Sequence, residues 1–231
     1  MEEQNIMAMK EADIYRAVIP TMMESQVSTE CYPMVAKQQE CQQSYNMKSV
    51  AFTKMEDGTI EDYSFLAKHE KEFILDLPNR IISSLEKLKD SFSGYKIDRL
   101  EHSLQTATRA LRDKADIDWV VSALIHDIGD DLAPLNHDTL AASVVAPYVR
   151  EECTWVIKHH GIFQLKYYGD KIGLNPEERQ KFKNHPYYKS AVKFCEKWDQ
   201  KSFDPNYDTL PLDYFKPMIT EVFSREAWVT N

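Results

Sequence analysis

Apolar residues recur along most of the chain at the three- and four-residue spacing of an amphipathic helix. One stripe of this kind holds Ile81, Ile82, Leu85 and Leu88. Pro78 precedes it at an expected first helical turn, where the missing proline N–H costs nothing. Because no window alternates apolar and polar residues as a strand does, the pattern predicts an all-α fold.

The later segments continue the helical pattern. The run RLEHSLQTATRALR predicts one helix, and DIDWVVSALIHDIG predicts the next, with Asp116 or Asp118 as its N-cap and Gly129 at its end. Four more helices are predicted in HDTLAASVVAPYVRE, EECTWVIKHHG, PEERQKFKNHP and SAVKFCEKWDQ. The segment FDPNYDTLPLDYFKPM has the prolines and aspartates of a structured turn region, which we expect to cover the helix that carries Asp199.

The first part of the chain differs from the rest. Residues 1–45 have little periodic hydrophobicity and predict an N-terminal extension or lid, whereas residues 46–231 predict one domain around one core. Within FTKMEDGTIEDYSF, the aromatic residues Phe52, Tyr63 and Phe65 interrupt a polar segment. This segment either closes over a pocket or is anchored by its aromatic side chains like an ordinary loop.

Composition narrows the classes of function. The formal charge is -9 and no block of Lys and Arg interrupts the acidic balance, so we expect no nucleic-acid partner and no anionic membrane surface. No stretch approaches the roughly 20 apolar residues of a membrane span, and the start is acidic rather than signal-like, so a soluble cytoplasmic protein is expected. The four cysteines are scattered without a CxxC pair, which argues against a thiolate zinc site.

Five of the seven histidines fall between His102 and His160, on or beside predicted helices with apolar neighbours. A single buried histidine is usually a core residue with satisfied nitrogens, but repetition favours a shared site. His126 and Asp127 are adjacent at the end of one helix, and His102 precedes them by one helical hairpin. Such imidazoles and carboxylates suit iron, manganese or zinc. Asp199, in an aromatic-rich helix, is either a further ligand or a cap for the next turn.

His102, the pair His126–Asp127 and Asp199 resemble the H…HD…D signature of the HD superfamily of metal-dependent phosphohydrolases. His137 in NHDTLAA and a histidine in VIKHHG lie between the HD pair and the last aspartate. With them, residues 95 to 223 resemble the six-ligand pattern of the diiron HD oxygenases, which include myo-inositol oxygenase and the phosphonate-cleaving HD oxygenases.

The resemblance implies an HD-type helical bundle around two irons, Fe(II) and Fe(III), with manganese or another divalent metal as the alternative. The implied metal ligands are His102, His126, Asp127, His137, His160 and Asp199. Asp127 would bridge the two ions, and His137 and His160 would hold the second one. His159 competes with His160, since adjacent helical residues point about 100° apart; we choose His160 because Gly161 allows close approach of the chain.

This chain differs from myo-inositol oxygenase at the residue that follows the HD-x-G sequence. Where myo-inositol oxygenase has a lysine after the HD-x-G sequence, this chain has Asp130, followed by Asp131. We expect Asp127 and Asp130 to be catalytic. A substrate that is neutral or carries a cationic amine would pair with Asp130 or Asp131. Alternatively, both acids are solvated or contact the metal ligands rather than the substrate.

Two tyrosines and two histidines outside the ligand pattern are further candidates for contact with a substrate or with solvent. Tyr63 or Tyr95 could approach the open metal position as a substrate-binding lid tyrosine. His69 has the surroundings of a solvated helix face, and His185 those of a turn residue that could reach a substrate.

Three functions remain open at this stage. The first is a diiron oxygenase that cleaves a small hydroxylated substrate, with an amino or phosphonate group as further options, using O2 as a four-electron oxidant. The second is a metal-dependent phosphohydrolase acting on a phosphate ester or nucleotide, against which the shortage of Lys and Arg around the motifs weighs. The third is a degenerate domain kept as a binding module, although all six candidate ligands are present in order.

Overall fold

The computed structural model describes residues 49–227, and these residues form helices and turns without any strand. The prediction of an all-α fold is therefore confirmed. The predicted extension at residues 1–45 lies outside the described residues. The chain divides after Asp76 into two compact units.

The first unit contains a short 3₁₀ turn, Met55–Asp57, and helix α1, Ile60–Leu75. Thr59 caps α1 in a capping box, because its hydroxyl accepts from the Asp62 N–H while the Asp62 carboxylate accepts from the Thr59 N–H. The polar segment with the aromatic residues thus contributes the first turns of this helix.

The second unit holds the hydrophobic core. Its helices are α2 (Leu77–Lys87), α3 (Arg99–Arg112), α4 (Ile117–Ile125), α5 (His137–Val145), α6 (Glu151–Tyr168), α7 (Tyr188–Lys193) and α8 (Leu212–Phe223). Helix α3 packs against α4, α5 against α6, and α8 against α2 and α4. Short 3₁₀ segments lie at Leu88–Asp90, Gly169–Ile172, Glu178–Phe182 and Asp199–Lys201. No helix of the described part is long and apolar enough to cross a bilayer.

Two predicted helices take other forms. PEERQKFKNHP contains only the 3₁₀ turn Glu178–Phe182, because Pro176 and Pro186 stand close on either side and limit regular helix. SAVKFCEKWDQ begins as α7 and widens into a π-helix over Phe194–Trp198. Phe194 and Trp198 are both buried there, and the widened turn ends directly at Asp199.

The hairpin of α3 and α4 places the first candidate ligands. Asp98 caps α3 by accepting from the Glu101 N–H at 2.8 Å, and Asp116 caps α4 by accepting from the Trp119 N–H at 3.2 Å. Asp118, the other candidate cap, instead accepts from Arg225 at 2.7 Å. The start of α3 lies beside the end of α4, where His102 Nε2 and His126 Nε2 are 3.1 Å apart, so the two packed helices run antiparallel.

Gly129 allows the turn after α4 to approach the start of α5. A Cβ atom at this position would lie 2.7 Å from the His137 carbonyl oxygen and 2.8 Å from its Cα. Only a glycine permits that approach without a backbone shift. The close approach brings the end of α4, with its His–Asp pair, next to the histidine that opens α5.

Candidate metal centre

Three histidines reach the centre from three helices. His102 lies in the first turn of α3, His126 directly follows α4, and His160 lies in the middle of α6; all three are buried. Each Nδ1 atom lies 2.7 to 2.8 Å from a backbone carbonyl oxygen, of Ser202, Ala123 and Ile157 respectively. A carbonyl oxygen only accepts, so each ring donates from Nδ1 and, when neutral, presents the lone pair of Nε2.

The Nε2 atoms converge on the carboxylate of Asp127. Its Oδ2 atom lies 3.2 Å from His102 Nε2 and 3.1 Å from His126 Nε2. Its Oδ1 atom lies 3.3 Å from the Nε2 atoms of both His137 and His160. One carboxylate therefore faces two separate pairs of imidazoles, one pair with each oxygen.

Asp199 adds a second carboxylate to one side only. Its Oδ1 atom lies 3.3 Å from His102 Nε2 and 3.6 Å from His126 Nε2. The end of the π-helix thus delivers this aspartate to the His102–His126 pair. By these contacts with Asp127 the six residues fall into two groups that share it, and His126, His160 and Asp199 also come within 4.8 Å of one another across the two groups.

The charges of the centre are strongly coupled. Burial lowers the pKa of His126, but the nearby carboxylates of Asp127 and Asp199 outweigh it and raise that pKa to about 10. The same balance raises the pKa of His102. Burial would raise the pKa of Asp127, yet the charges of His126 and Arg99 hold it well below its ordinary value. Without another cation, the centre holds protons on its imidazoles.

The donor set fits divalent metal ions. The Nε2 atoms of His102 and His126 lie 3.1 Å apart, and both rings donate through Nδ1, so two lone pairs would face each other if both rings were neutral; a proton on one Nε2, or a metal cation between them, removes that repulsion. Asp127 Oδ1 and Asp199 Oδ2 are buried and have no hydrogen-bond partner. Three groups of these residues bring ligand atoms within 4.8 Å of one another. Imidazole and carboxylate ligands of this kind suit iron, manganese or zinc.

Arg99 is a residue of the site that the sequence reasoning missed. Its Nε donates to Asp130 Oδ2 at 2.6 Å, its Nη2 donates to Asp127 Oδ2, and its side chain is 11% exposed. The prediction of a shortage of basic residues around the motifs was therefore wrong. The sequence does contain a signal for Arg99: it precedes His102 by three residues, and residues three apart lie on the same face of a helix.

A cavity of about 550 Å³ opens beside the ligands. Phe203 forms one wall and stacks on His102, with ring centroids 4.4 Å apart. Tyr95 packs on Phe203 at 4.9 Å, and Arg99 lies 5.9 Å from the centre of the Tyr95 ring. The other lining residues beyond the ligands include Gln164, Tyr168 and Gln200. The cavity has the size of a small-molecule site.

The two acids proposed to meet a cationic substrate lie in different settings. Asp130 contacts Arg99 through Oδ2, and its Oδ1 lies 3.3 Å from His137 Nδ1. Asp131 is exposed and does not line the cavity. Neither acid presents a free carboxylate to the cavity, so the expected pairing with a cationic amine finds no support in the geometry.

The remaining candidates lie away from the ligand atoms or in the other unit. His159 stacks on Trp155 and donates to its carbonyl, whereas its neighbour His160 faces Asp127. His185 lies in a turn and also stacks on Trp155, with ring centroids 4.0 Å apart. His69 is exposed on α1, and Tyr63 donates its hydroxyl to the Met55 carbonyl within the first unit.

No curated protein matches the chain. The family model of the HD domain matches residues 99–190, which begin at Arg99 and include every candidate ligand except Asp199. The HD domain is an all-helical fold, and its members are generally metal-dependent enzymes. A histidine and aspartate cluster that could hold divalent metal lies within this region, and by this match residues 99–190 are similar to the HD domain.

Proposed function

We propose that this protein is a diiron HD-domain oxygenase that oxidatively cleaves a small hydroxylated substrate with O2. One observation carries the proposal: the two oxygens of Asp127 face two different histidine pairs, so a shared carboxylate can serve two metal positions. The first position would be held by His102, His126, Asp127 and Asp199, and the second by Asp127, His137 and His160.

The protein's own residues would hold two cations close together in a fixed orientation. The carboxylate of Asp127, shared between the two positions, would reduce the repulsion between two dications. The carbonyl oxygens behind His102, His126 and His160 fix each ring so that Nε2 points inward. Two irons, one ferrous and one ferric, would supply Lewis acidity toward a substrate hydroxyl and redox capacity for O2 without an external reductant.

The cavity supports a substrate that is small and carries an anionic group. Arg99 lies at the cavity beside the metal ligands and adds a positive charge there, which favours an anionic substrate group, while its Nε and Nη2 atoms already donate to Asp130 and Asp127. Phe203 stacks on the ring of His102, and Tyr95 packs on Phe203, so an aromatic wall lines this side of the cavity. A hydroxylated organic acid, including a hydroxylated phosphonate, fits this lining better than a cationic amine does.

Hydrolysis of a phosphate ester is the alternative, and Arg99 favours it as well. A two-metal centre with a nearby guanidinium can activate water and stabilise a phosphoryl group. The metal would then be manganese, iron or another divalent ion. The two functions differ in their need for O2 and in the oxidation state of the metal.

The test uses full-length protein purified without oxygen and loaded with iron. We would screen polyols, amino polyols, hydroxylated phosphonates and phosphate esters, and measure O2 uptake and release of inorganic phosphate in parallel. The oxygenase predicts uptake of one O2 per substrate cleaved, with a mixed-valent spectroscopic signal. Release of phosphate from an ester at an unchanged rate without O2 would replace the oxygenase with the hydrolase.

A further inference from the structure

The four histidines of the centre are not supported in the same way. Three of the rings rest on backbone carbonyl oxygens, which side-chain substitution does not remove: His102, His126 and His160. His137 differs, because the atom next to its Nδ1 is Oδ1 of Asp130, at 3.3 Å. Its side chain is also 25% exposed, against 4% or less for the other three.

Asp130 is itself fixed by a second contact. Its Oδ2 atom accepts from Arg99 Nε at 2.6 Å, while Arg99 Nη2 donates to Asp127. Each oxygen of Asp130 therefore has one partner: Oδ1 faces His137 and Oδ2 faces Arg99. The side chain is only 10% exposed, so water does not readily replace either partner.

We propose that Asp130 is a positioning residue that holds His137 with its Nε2 lone pair toward Asp127, and so completes the second metal position. The proposal rests on the proposed function, because it assigns a role toward the metals of that centre. A carboxylate at Nδ1 selects the tautomer that protonates Nδ1 and leaves Nε2 free to ligate. Asp130 then acts through His137 and needs no contact with substrate.

The substitution Asp130→Asn separates this role from others. An amide has one acceptor oxygen, whereas Asp130 places one oxygen beside His137 Nδ1 and the other beside Arg99 Nε, so one of these two nitrogens loses the oxygen next to it. Loss of such a support behind a metal ligand typically weakens metal binding by about 10- to 100-fold. We expect that loss in the second metal equivalent, and less than about a threefold change in the first, whose ligands do not contact Asp130.

The experiment titrates metal-free, full-length protein with Mn(II) and follows both equivalents by calorimetry. Electron paramagnetic resonance of the same samples reports whether two manganese ions are coupled in one centre. Asp131→Asn is the matched control, because it removes the same charge from the exposed neighbouring residue. Asp130→Glu keeps the charge but moves the carboxylate by one methylene, and should also weaken the second equivalent. Circular dichroism checks that each variant is folded.

The outcomes separate this inference from the proposed function. Wild-type protein that binds fewer than two Mn(II) ions would overturn both. Two coupled ions in the wild type, with the second weakened in Asp130→Asn and Asp130→Glu but not in Asp131→Asn, would support the inference. Two coupled ions with equal affinity in every variant, or equal weakening of both equivalents, would overturn the role of Asp130 and leave the two-metal centre standing.

Discussion

The substitution Asp127→Asn should disable both metal positions at once. In the structure, Oδ2 lies 3.2 Å from His102 Nε2 and 3.1 Å from His126 Nε2, and Oδ1 lies 3.3 Å from both His137 and His160. An asparagine keeps the shape but carries no charge, and its NH2 group cannot ligate a metal. One position therefore loses its oxygen ligand and both lose the bridging charge.

The size of the effect follows from the burial of Asp127, which is 2% exposed. Removing one partner from a buried charge arrangement costs about 3–5 kcal/mol. At ~1.4 kcal/mol per tenfold, metal affinity should fall roughly 100- to 4000-fold. We expect a coupled two-metal signal in the wild type and none in Asp127→Asn, by calorimetry and electron paramagnetic resonance with Mn(II).

Asp131→Asn is again the control, since it makes the same substitution on an exposed aspartate four residues later. The control should keep wild-type stoichiometry and affinity. If Asp127→Asn bound two coupled ions as tightly as the wild type, the bridging role of Asp127 would be refuted.

Two further predictions concern pH and stability. Burial lowers the pKa of His126, but the neighbouring carboxylates outweigh burial and raise it from 6.5 to about 10. Protonated His126 therefore contributes its full share to the free energy of unfolding below pH 6.5, and this share is lost as pH rises toward 10. Metal-free protein should therefore lose about 3–4 kcal/mol between pH 7 and 10 in urea unfolding; an identical pH profile in His126→Gln would contradict this, and His69→Gln should match the wild type. Leu124 is fully buried, so Leu124→Ala should lower the free energy of unfolding by about 2–5 kcal/mol. Leu135 is 99% exposed, so Leu135→Ala should change it by less than about 0.5 kcal/mol. Equal losses in the two variants would refute the packing argument.

The helical fold could be predicted because the period of the apolar residues is visible in the chain. The caps of α3 and α4 are local signals too, although Asp116 and Asp118 could be told apart only by the partner of Asp118, Arg225, which lies far along the sequence. The π-helix before Asp199 was not predicted, because it depends on the burial of Phe194 and Trp198 within the core.

The sequence predicts that the histidines come together, because several of them recur on apolar helices. It does not predict the roles of the residues that surround them. The sequence predicts a catalytic and substrate-binding role for Asp130, and it does not show that Arg99 and His137 lie beside its two oxygens. The choice between His159 and His160 depended on direction around α6, and the structure places His160 toward Asp127. Long-range pairing decides such roles, and a single sequence does not display it.

The most direct test of the two-metal centre is a crystal structure of the full-length protein loaded with iron under anaerobic conditions, with anomalous scattering recorded at the iron edge. Our account predicts two peaks that flank the Asp127 carboxylate: one beside His102, His126 and Asp199, and the other beside His137 and His160. A single peak, or none, would contradict it.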